Sequence, residues 1–224
     1  MQVSKRRNAL NLGRRGHGAS KTMQMPAHSA NPRSKTADEI MDIAEALVQT
    51  RGYSAFSYQD IADQLGIRKA SIHYHFPSKT ALGIAVINRY AERFSFSLAA
   101  IAADQSQSSM RMLDHYMKAY EDFASTPDRV CLCGALAGEM MALPAELRSR
   151  VDLFFREHQA WLVGILQRGV AMGEFRIASP PAHVARMVFG ALQGALLVKR
   201  TTGDAAQLND VIAALKLQLT ARAQ

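Results

Sequence analysis

Apolar residues recur at helical spacing along most of the chain, and no stretch alternates apolar and polar residues as a half-buried strand would. The first apolar series consists of Ile40, Ile43, Ala44, Leu47 and Val48. These positions follow the i, i+3, i+4, i+7, i+8 pattern of an amphipathic helix. Thr36 and Glu39 have the spacing of a capping box, so we expect this helix to begin near Thr36 and to end at Gly52.

Two short helices are predicted next. Ser57, with Asp60 three residues later, marks the start of a helix over Tyr58–Leu65, and Gly66 provides the turn conformation that residues with a Cβ avoid. A third helix is predicted from about Lys69 to His75. Two short helices joined by a tight turn that contains glycine form a helix-turn-helix pattern.

The rest of the chain is also predicted to be helical. Pro77 cannot continue the third helix, and Ser78 caps a fourth helix that runs to about Ala103. Further helices are expected at about 108–125, 129–142, 145–172, 181–201 and 205–221. The predicted fold is all-α with about nine helices. We expect a disordered basic arm at 1–33, a three-helix DNA-binding domain at 34–80 and a larger effector-binding and dimerisation domain at 81–224.

The helix-turn-helix pattern separates a core face from an exposed face. Ile61, Ala62 and Leu65 would hold the first of the two helices on the core, and Ile72 and Phe76 would face inward from the second. The second helix of this motif enters the DNA major groove, where its N-terminal residues reach base edges. The predicted DNA contacts are Gln59, Arg68, Lys69, Ser71, His73, Tyr74, Ser78 and Lys79. Lys79 and Ser78 would meet a phosphate at the N-terminus of the fourth helix, where free N–H groups and the helix dipole favour an anion.

The run from Phe56 to Leu82 closely resembles the N-terminal domain of the TetR-type family of repressors. The matching residues are Gly52-Tyr53, Asp60-Ile61-Ala62, Leu65-Gly66-Ile67, and Ser71 through His75-Phe76 to Ser78-Lys79. The resemblance implies a dimer, usually a repressor, that binds a palindromic operator on double-stranded DNA. It also implies release by a small molecule bound in the C-terminal domain.

By the family's pattern, base contacts would fall on Lys69, Ser71 and His73, and phosphate contacts on Tyr74 and Lys79. His73 departs from that pattern, because the position is usually a tyrosine. Histidine is shorter and titrates near neutrality, so a pH-dependent DNA affinity is expected, and His73→Phe would remove it.

Charge is concentrated at the N-terminus. The net charge of +8 comes from 27 Lys and Arg against 19 Asp and Glu, and residues 1–35 hold eight of the basic residues and no acid. The remainder is therefore neutral. A flexible segment such as Gly13-Arg14-Arg15-Gly16 can enter a minor groove. The alternatives are a solvated tail that adds non-specific affinity, or sequence upstream of a true start at Met23 or Met25.

The last two predicted helices carry small and apolar residues in stripes. On the first of them these are Val184, Val188, Gly190, Ala191, Leu192, Gly194, Ala195 and Leu196, and on the second Val211, Ile212, Leu215 and Leu219. In the family that the sequence resembles, the last two helices of each subunit form the dimer interface, and the layout here fits a homodimer. The alternative is a purely intramolecular core.

The middle helices are expected to enclose the effector. Aromatic and polar candidates at helical spacing are His115, Tyr116, Tyr120, Phe123, Met140, Phe155, His158 and Trp161. From these we favour Tyr116, Tyr120, His158 and Trp161 as effector-binding residues. Cys131 is added on a separate ground: the segment Cys131–Glu139 resembles a Cys-Leu-x-Gly segment of some family members that sense electrophiles or small unsaturated acids. An alternative function is therefore a repressor that senses redox state or electrophiles through Cys131. Burial of Cys131 as a small apolar residue would account for it equally well.

Other classes of function lack support in the sequence. Cys131 and Cys133 stand too close for an ordinary disulfide and lack paired histidines for zinc, so we expect no metal, no cofactor and a reduced, cytoplasmic protein. No enzyme motif is present, so no catalytic residue is predicted. No signal peptide is recognised, and the apolar stretch 184–198 is shorter than a bilayer-spanning helix needs, so no membrane segment is expected. An RNA adaptor would need an aromatic platform that the sequence lacks.

Overall fold

The computed structural model describes residues 32–104, 106–204 and 206–220, and these residues contain nine α-helices and no strand. The helices are α1 Pro32–Arg51, α2 Tyr58–Leu65, α3 Lys69–His75, α4 Lys79–Ala103, α5 Ser109–Ala124, α6 Leu132–Gly138, α7 Ala145–Ala171, α8 Pro181–Thr202 and α9 Ala206–Thr220. The all-α prediction is confirmed. The basic arm predicted at 1–33 lies almost wholly outside the described residues.

The predicted start of the first helix was wrong. α1 begins at Pro32, so Thr36 lies inside the helix and forms no capping box there. Proline is common in the first helical turn because its missing N–H has no intrahelical partner at that position anyway. Glu39 instead pairs with Lys35 at 3.9 Å, one helical turn away.

The predicted helix over 129–142 is shorter than expected. α6 covers only Leu132–Gly138, and a single 3-10 turn follows at Met140–Ala142. The residues before α6 are held by α1 instead of continuing a helix: the N–H of Val130 donates to the carbonyl of Gln49 at 3.4 Å, and Arg129 Nε donates to the Gln49 side chain at 2.7 Å. Tertiary contacts with α1 therefore override the local helical pattern.

α7 is the central helix of the larger part of the fold. It packs against α4, α5, α6 and α8, while α1 packs against α2, α4 and α6. Leu147, Val151, Leu162 and Leu166 of α7 are fully buried. α4 therefore links the three N-terminal helices to the rest of the chain, since it contacts both α1 and α7.

The apolar stretch in α8 is longer than the sequence indicated. α8 has 22 residues, and an 18-residue window within it has a mean hydropathy of 1.2, so by length and composition alone it is the one described helix that could cross a membrane. The prediction that it is too short was wrong. Its packing is that of a core helix, because Val184, Val188, Leu192 and Leu196 face the interior against α7 and α9. The stripe predicted for a dimer interface is thus largely intramolecular.

Candidate DNA-binding surface and effector cavity

The turn between α1 and α2 is held by a carboxylate from the other part of the fold. Gly52 has a φ of +96°, and the following two backbone N–H groups, of Tyr53 and Ser54, donate to the Glu139 carboxylate at 2.6 and 2.8 Å. A Cβ on Gly52 would lie 2.3 Å from Glu139 Oε1. Burial raises the pKa of Glu139, but the hydrogen bonds from Ser54 and Tyr53 and the charge of Lys79 outweigh it, so the pKa lies below its ordinary value.

Local signals define both ends of α2 as predicted. Ser57 and Asp60 form a full capping box, with the Ser57 N–H donating to Asp60 at 2.8 Å. Gly66 adopts the left-handed conformation at a φ of +65°, which ends α2 and turns the chain towards α3. Ile61 and Ala62 are buried as expected, while Leu65 is only partly buried.

α3 is anchored from one side only. Ile72 is its single fully buried residue, and the Tyr58 hydroxyl donates to the carbonyl of Phe76 at 2.9 Å just after the helix ends. The predicted DNA contacts of this helix all lie on its exposed side: Lys69, Ser71 and His73 for bases, and Tyr74 for a phosphate. Tyr74 has 58% of its surface exposed, and the His73 ring packs edge-on against Tyr58 with centroids 4.7 Å apart. The helix thus presents a polar, basic face on a fixed support.

Some of the predicted DNA contacts also make bonds within the chain. Gln59 Nε2 donates to Asp63 at 2.5 Å, and the Ser78 hydroxyl accepts the N–H of Ala81 at 3.1 Å as the N-cap of α4. Arg68 is the N-cap residue of α3, and its side chain makes no capping hydrogen bond. Arg68 and Gln59 are exposed, so both can reach a ligand beyond the protein surface.

Lys79 has a structural role that the sequence did not reveal. Its ammonium donates to the carbonyl of Phe56 and lies over the rings of Tyr53 and Phe56, 4.6 and 4.3 Å from their centroids. Burial lowers its pKa, against the charges of Glu139 and Asp60. Lys79 therefore joins the start of α4 to the turn that precedes α2, and the remaining N–H groups of its ammonium can still meet a phosphate.

Four of the five favoured effector residues meet in one cluster, which we call the aromatic cluster: Tyr116, Tyr120 and His158, which are buried, and Trp161, which is partly buried. The Tyr116 hydroxyl lies 3.3 Å from the Tyr120 hydroxyl and 3.3 Å from His158 Nδ1. Trp161 stacks on Tyr116 with centroids 5.4 Å apart. Each polar group of the two tyrosines is thereby satisfied inside the protein.

Burial controls the protonation of the aromatic cluster. Desolvation lowers the pKa of His158 to about 3, and it raises the pKa of Tyr116 and Tyr120 above the ordinary tyrosine value. His158 packs against Phe154 and Phe94, with centroids 3.9 and 4.4 Å apart. At neutral pH the cluster therefore contains no charge.

The cavity between α4 and α5 lies beside the aromatic cluster and not within it. It has a volume of about 310 Å³, and none of the five favoured effector residues lines it. Its walls come mainly from α4 and α5, with contributions from α1 and the residues before α6: Glu45, Tyr90, Arg93, Phe94, Ser97, Leu98, His115, Lys118, Ala119, Asp122, Phe123 and Arg129. His115 and Phe123 were among the wider sequence candidates, whereas the charged wall residues were missed.

Three arginines surround one buried carboxylate at this cavity. Glu45 of α1 is 5% exposed, and Arg93 Nη2 lies 2.7 and 2.5 Å from its two oxygens. Arg89 and Arg129 lie 3.4 and 3.8 Å from the same carboxylate. We call Glu45, Arg89, Arg93 and Arg129 the arginine–glutamate cluster. No sequence spacing could have indicated it, since its members come from α1, α4 and the segment before α6.

The two cysteines are buried side chains. Cys131 is 3% exposed and accepts a 3.5 Å hydrogen bond from the Tyr90 hydroxyl, while Cys133 is fully buried. Burial raises the pKa of the Cys133 thiol well above its ordinary value, which opposes thiolate formation. Within the described residues, no three His, Cys, Asp or Glu side chains come together in a way that would hold a metal ion.

Two family models match the chain. Residues 40–86 match the model described as "Bacterial regulatory proteins, tetR family", which covers most of α1 through the first part of α4. Residues 109–215 match "Tetracyclin repressor-like, C-terminal domain". The first match contains α3 and the second contains α5 to α8 and most of α9.

Solved structures and characterised relatives agree with these models. A TetR family transcriptional regulator from Agrobacterium tumefaciens is 33% identical, with a TM-score of 0.80 over 85% of this chain and 100% of that one. A TetR transcriptional regulator from Legionella pneumophila is 30% identical, with a TM-score of 0.77 over 86% and 100% of the two chains. The HTH-type transcriptional repressor KstR2 of Rhodococcus jostii is 28% identical over 67% of this chain and 73% of its own length.

Proposed function

The chain belongs to the TetR family of bacterial regulatory proteins and is a DNA-binding transcriptional regulator; we propose that it is a repressor, that α3 reads its operator, and that a small molecule in the cavity between α4 and α5 releases it. The observation that carries this proposal is the exposed polar and basic face of α3 on a helix-turn-helix support. Similarity to the repressor KstR2 supports repression rather than activation.

The roles of the DNA-facing residues follow from their positions. Lys69 and Ser71, near the N-terminus of α3, meet base edges in the major groove, and His73 extends this set. Tyr74, Gln59 and Arg68 contact the backbone or flanking bases. Ser78 and Lys79 lie at the N-terminus of α4, where a phosphate is favoured. This division assigns sequence preference to α3 and general affinity to the residues around it.

The protein acts as a homodimer through α8 and α9, because a two-fold operator requires a two-fold protein. The support is the outer face of α8, where apolar and small residues are left uncovered at helical spacing: Met187, Gly190, Gly194, Leu197 and Val198. A Cβ added to Gly190 or Gly194 would meet nothing within 4 Å. Leu217, on α9, is 68% exposed. The dimer thus uses this face and not the buried stripe of α8.

Release is proposed to pass through α4. This helix lines the cavity with Arg93, Phe94 and Ser97, and its first turn holds the helix-turn-helix through Lys79. An effector can shift the DNA-bound form only by its differential affinity for the two forms. The boundary between the DNA-binding part at 34–80 and the effector-binding part at 81–224 therefore falls within one helix that serves both.

The redox alternative has no specific support. Cys131 and Cys133 are buried, and none of the described contacts of either thiol involves a cation that would favour a thiolate. Tyr116, Tyr120, His158 and Trp161 act on the effector indirectly, from the layer of side chains behind the cavity wall. Phe94 connects the two layers, because it lines the cavity and also packs against Tyr116 and His158.

The test is fluorescence anisotropy of the full chain on duplex DNA from beside its own gene, at near-physiological salt. A scrambled duplex of the same composition is the control. We expect one dimer per duplex and a preference of at least about a thousandfold for the specific site. Equal and weak binding to both duplexes, together with failure to select a site from random sequence, would contradict the proposal.

A further inference from the structure

We propose that the cavity between α4 and α5 takes an organic acid with an apolar body, and that the acid's carboxylate binds Arg93 and Arg129 in place of Glu45. The cavity volume of about 310 Å³ lies at the lower end of the range for small-ligand sites. This inference names the ligand class of the effector site described above and rests on that site being the regulatory one.

The charge of the cavity wall favours an anion. Lys118 and Asp122 pair with each other at 2.6 Å and largely cancel. The remaining charged groups on the wall are Arg93 and Arg129 against the single carboxylate of Glu45, which leaves an excess of positive charge. A cation would have to displace an arginine from Glu45 and would then face the other guanidinium groups. An anion would displace Glu45 from an arginine and would then be attracted by the guanidinium groups around it.

The arginine–glutamate cluster already holds a carboxylate in the required geometry. Arg93 Nη2 contacts both oxygens of Glu45, and the Arg93 and Arg129 side chains are 50% and 35% exposed while that of Glu45 is 7% exposed. The guanidinium groups are thus accessible from the cavity side, and the carboxylate lies behind them. Arginine–carboxylate hydrogen bonds are among the stronger ones in proteins, so an incoming carboxylate can compete with Glu45 for the same donors.

The rest of the wall fits an apolar body. Tyr90, Phe94, Leu98 and Phe123 supply aromatic and aliphatic surface next to the arginines. The Arg129 guanidinium lies 5.9 Å from the centroid of the Phe123 ring. A hydrophobic wall with a few polar anchors at one end is typical of a site for an amphiphilic ligand.

The exchange of carboxylates would be transmitted to the DNA-binding helices. Glu45 belongs to α1, and the segment 129–139 contacts the same part of the chain at both ends: Arg129 at Gln49 of α1, and Glu139 at the turn after Gly52. When the ligand takes Arg93 and Arg129, Glu45 keeps only Arg89 of its three arginines, and α1 loses one contact with α4 and one with this segment. The acid therefore binds best to a form in which α1 has moved.

The experiment is titration calorimetry of the full chain without DNA, using matched pairs of ligands: 3-phenylpropanoate against 3-phenylpropanamide, and octanoate against octanamide. We expect the acids to bind and the amides not to bind. Arg93→Gln and Arg129→Gln should each weaken acid binding by about tenfold or more, as expected for a lost hydrogen bond to a charged group. Arg156→Gln is the matched control, because Arg156 pairs only with Asp152 on the exposed side of α7 among its described contacts.

Glu45→Gln separates binding from transmission. It removes the competing carboxylate, so acids should bind more tightly, while the operator affinity should no longer respond to them. Equal binding of acids and amides, no binding of any acid, or unchanged acid affinity in Arg93→Gln would overturn the inference. Arg93→Gln keeps the test valid if Glu45→Gln does not fold. Since the calorimetry needs no operator, failure to find specific DNA would contradict the proposed function and leave the ligand test intact.

Discussion

α3 and the aromatic cluster both contain tyrosine and histidine, but the two regions use them in opposite ways. In α3, His73 and Tyr74 lie on the exposed face of a short helix that is anchored mainly by Ile72. In the aromatic cluster, Tyr116 and His158 are buried and bonded to each other. The polar side chains on α3 are therefore exposed to a partner outside the chain, whereas those in the aromatic cluster form hydrogen bonds with one another. Substitutions in the two regions should therefore separate DNA affinity from stability.

The largest expected effect is on the anchor of α3. Ile72→Ala removes a fully buried side chain and should lower the free energy of unfolding by about 2 to 5 kcal/mol, because α3 has no other fully buried residue. Urea denaturation measures the loss. Ser71→Ala, on the exposed face next to it, should change stability by no more than about 0.5 kcal/mol. Equal losses in the two variants would mean that α3 is not anchored as described.

The next effect distinguishes the buried histidine from exposed ones. In the unfolded chain the imidazole of His158 titrates near pH 6.5, but in the folded chain its pKa is about 3. Between these values the unfolded state binds the extra proton, so stability is retained above pH 6.5 and lost on acidification. Lowering the pH from 6.5 to 5 should cost about 2 kcal/mol in the free energy of unfolding.

The control for this pH effect is His158→Gln, measured by urea denaturation at the same pH values. The variant should lose less stability than the wild-type chain between pH 6.5 and pH 5, because the buried imidazole is gone. If both proteins respond identically to pH, the His158 side chain is not held neutral by burial.

A third effect should appear in DNA binding and not in stability. Lys69→Ala removes an exposed side chain from the N-terminus of α3, and its loss should cost at least about 1 kcal/mol in operator affinity and relax the preference at one base position. Lys35→Ala is the control, since Lys35 is an exposed lysine of α1 paired with Glu39. Competition anisotropy against single-base operator variants measures both. An unchanged preference in Lys69→Ala would show that Lys69 reads no base.

The smallest effect concerns the basic N-terminal residues. Deleting residues 1–31 removes six basic residues and no acid. If these residues touch phosphates, the deletion should make the plot of log affinity against log salt concentration less steep while the preferred sequence stays the same. Anisotropy at several salt concentrations is the measurement. An unchanged slope would mean that residues 1–31 make no phosphate contact.

The helix-turn-helix was predictable from the sequence because its signals are local. Ser57 with Asp60, Gly66, and Ser78 each act on backbone groups within about one helical turn, and the structure has each of them where the pattern indicated. The same reasoning failed at Thr36 and at residues 129–131. At the second place Arg129 and Val130 bond to Gln49, 80 residues or more away along the chain.

The sequence by itself therefore determined the all-α fold, the caps and turns of α2 and α3, and the exposed face that points to DNA. Only the tertiary structure decided that four of the favoured effector residues form an aromatic cluster, that Lys79 clamps the turn before α2, and that Glu45 meets Arg93 and Arg129 at the cavity. The physical reason is the range of the interactions. Capping and helical periodicity act over three or four residues, whereas the cavity and its charges arise where α1, α4, α5 and the segment before α6 meet, and no local pattern encodes which helices will pack together.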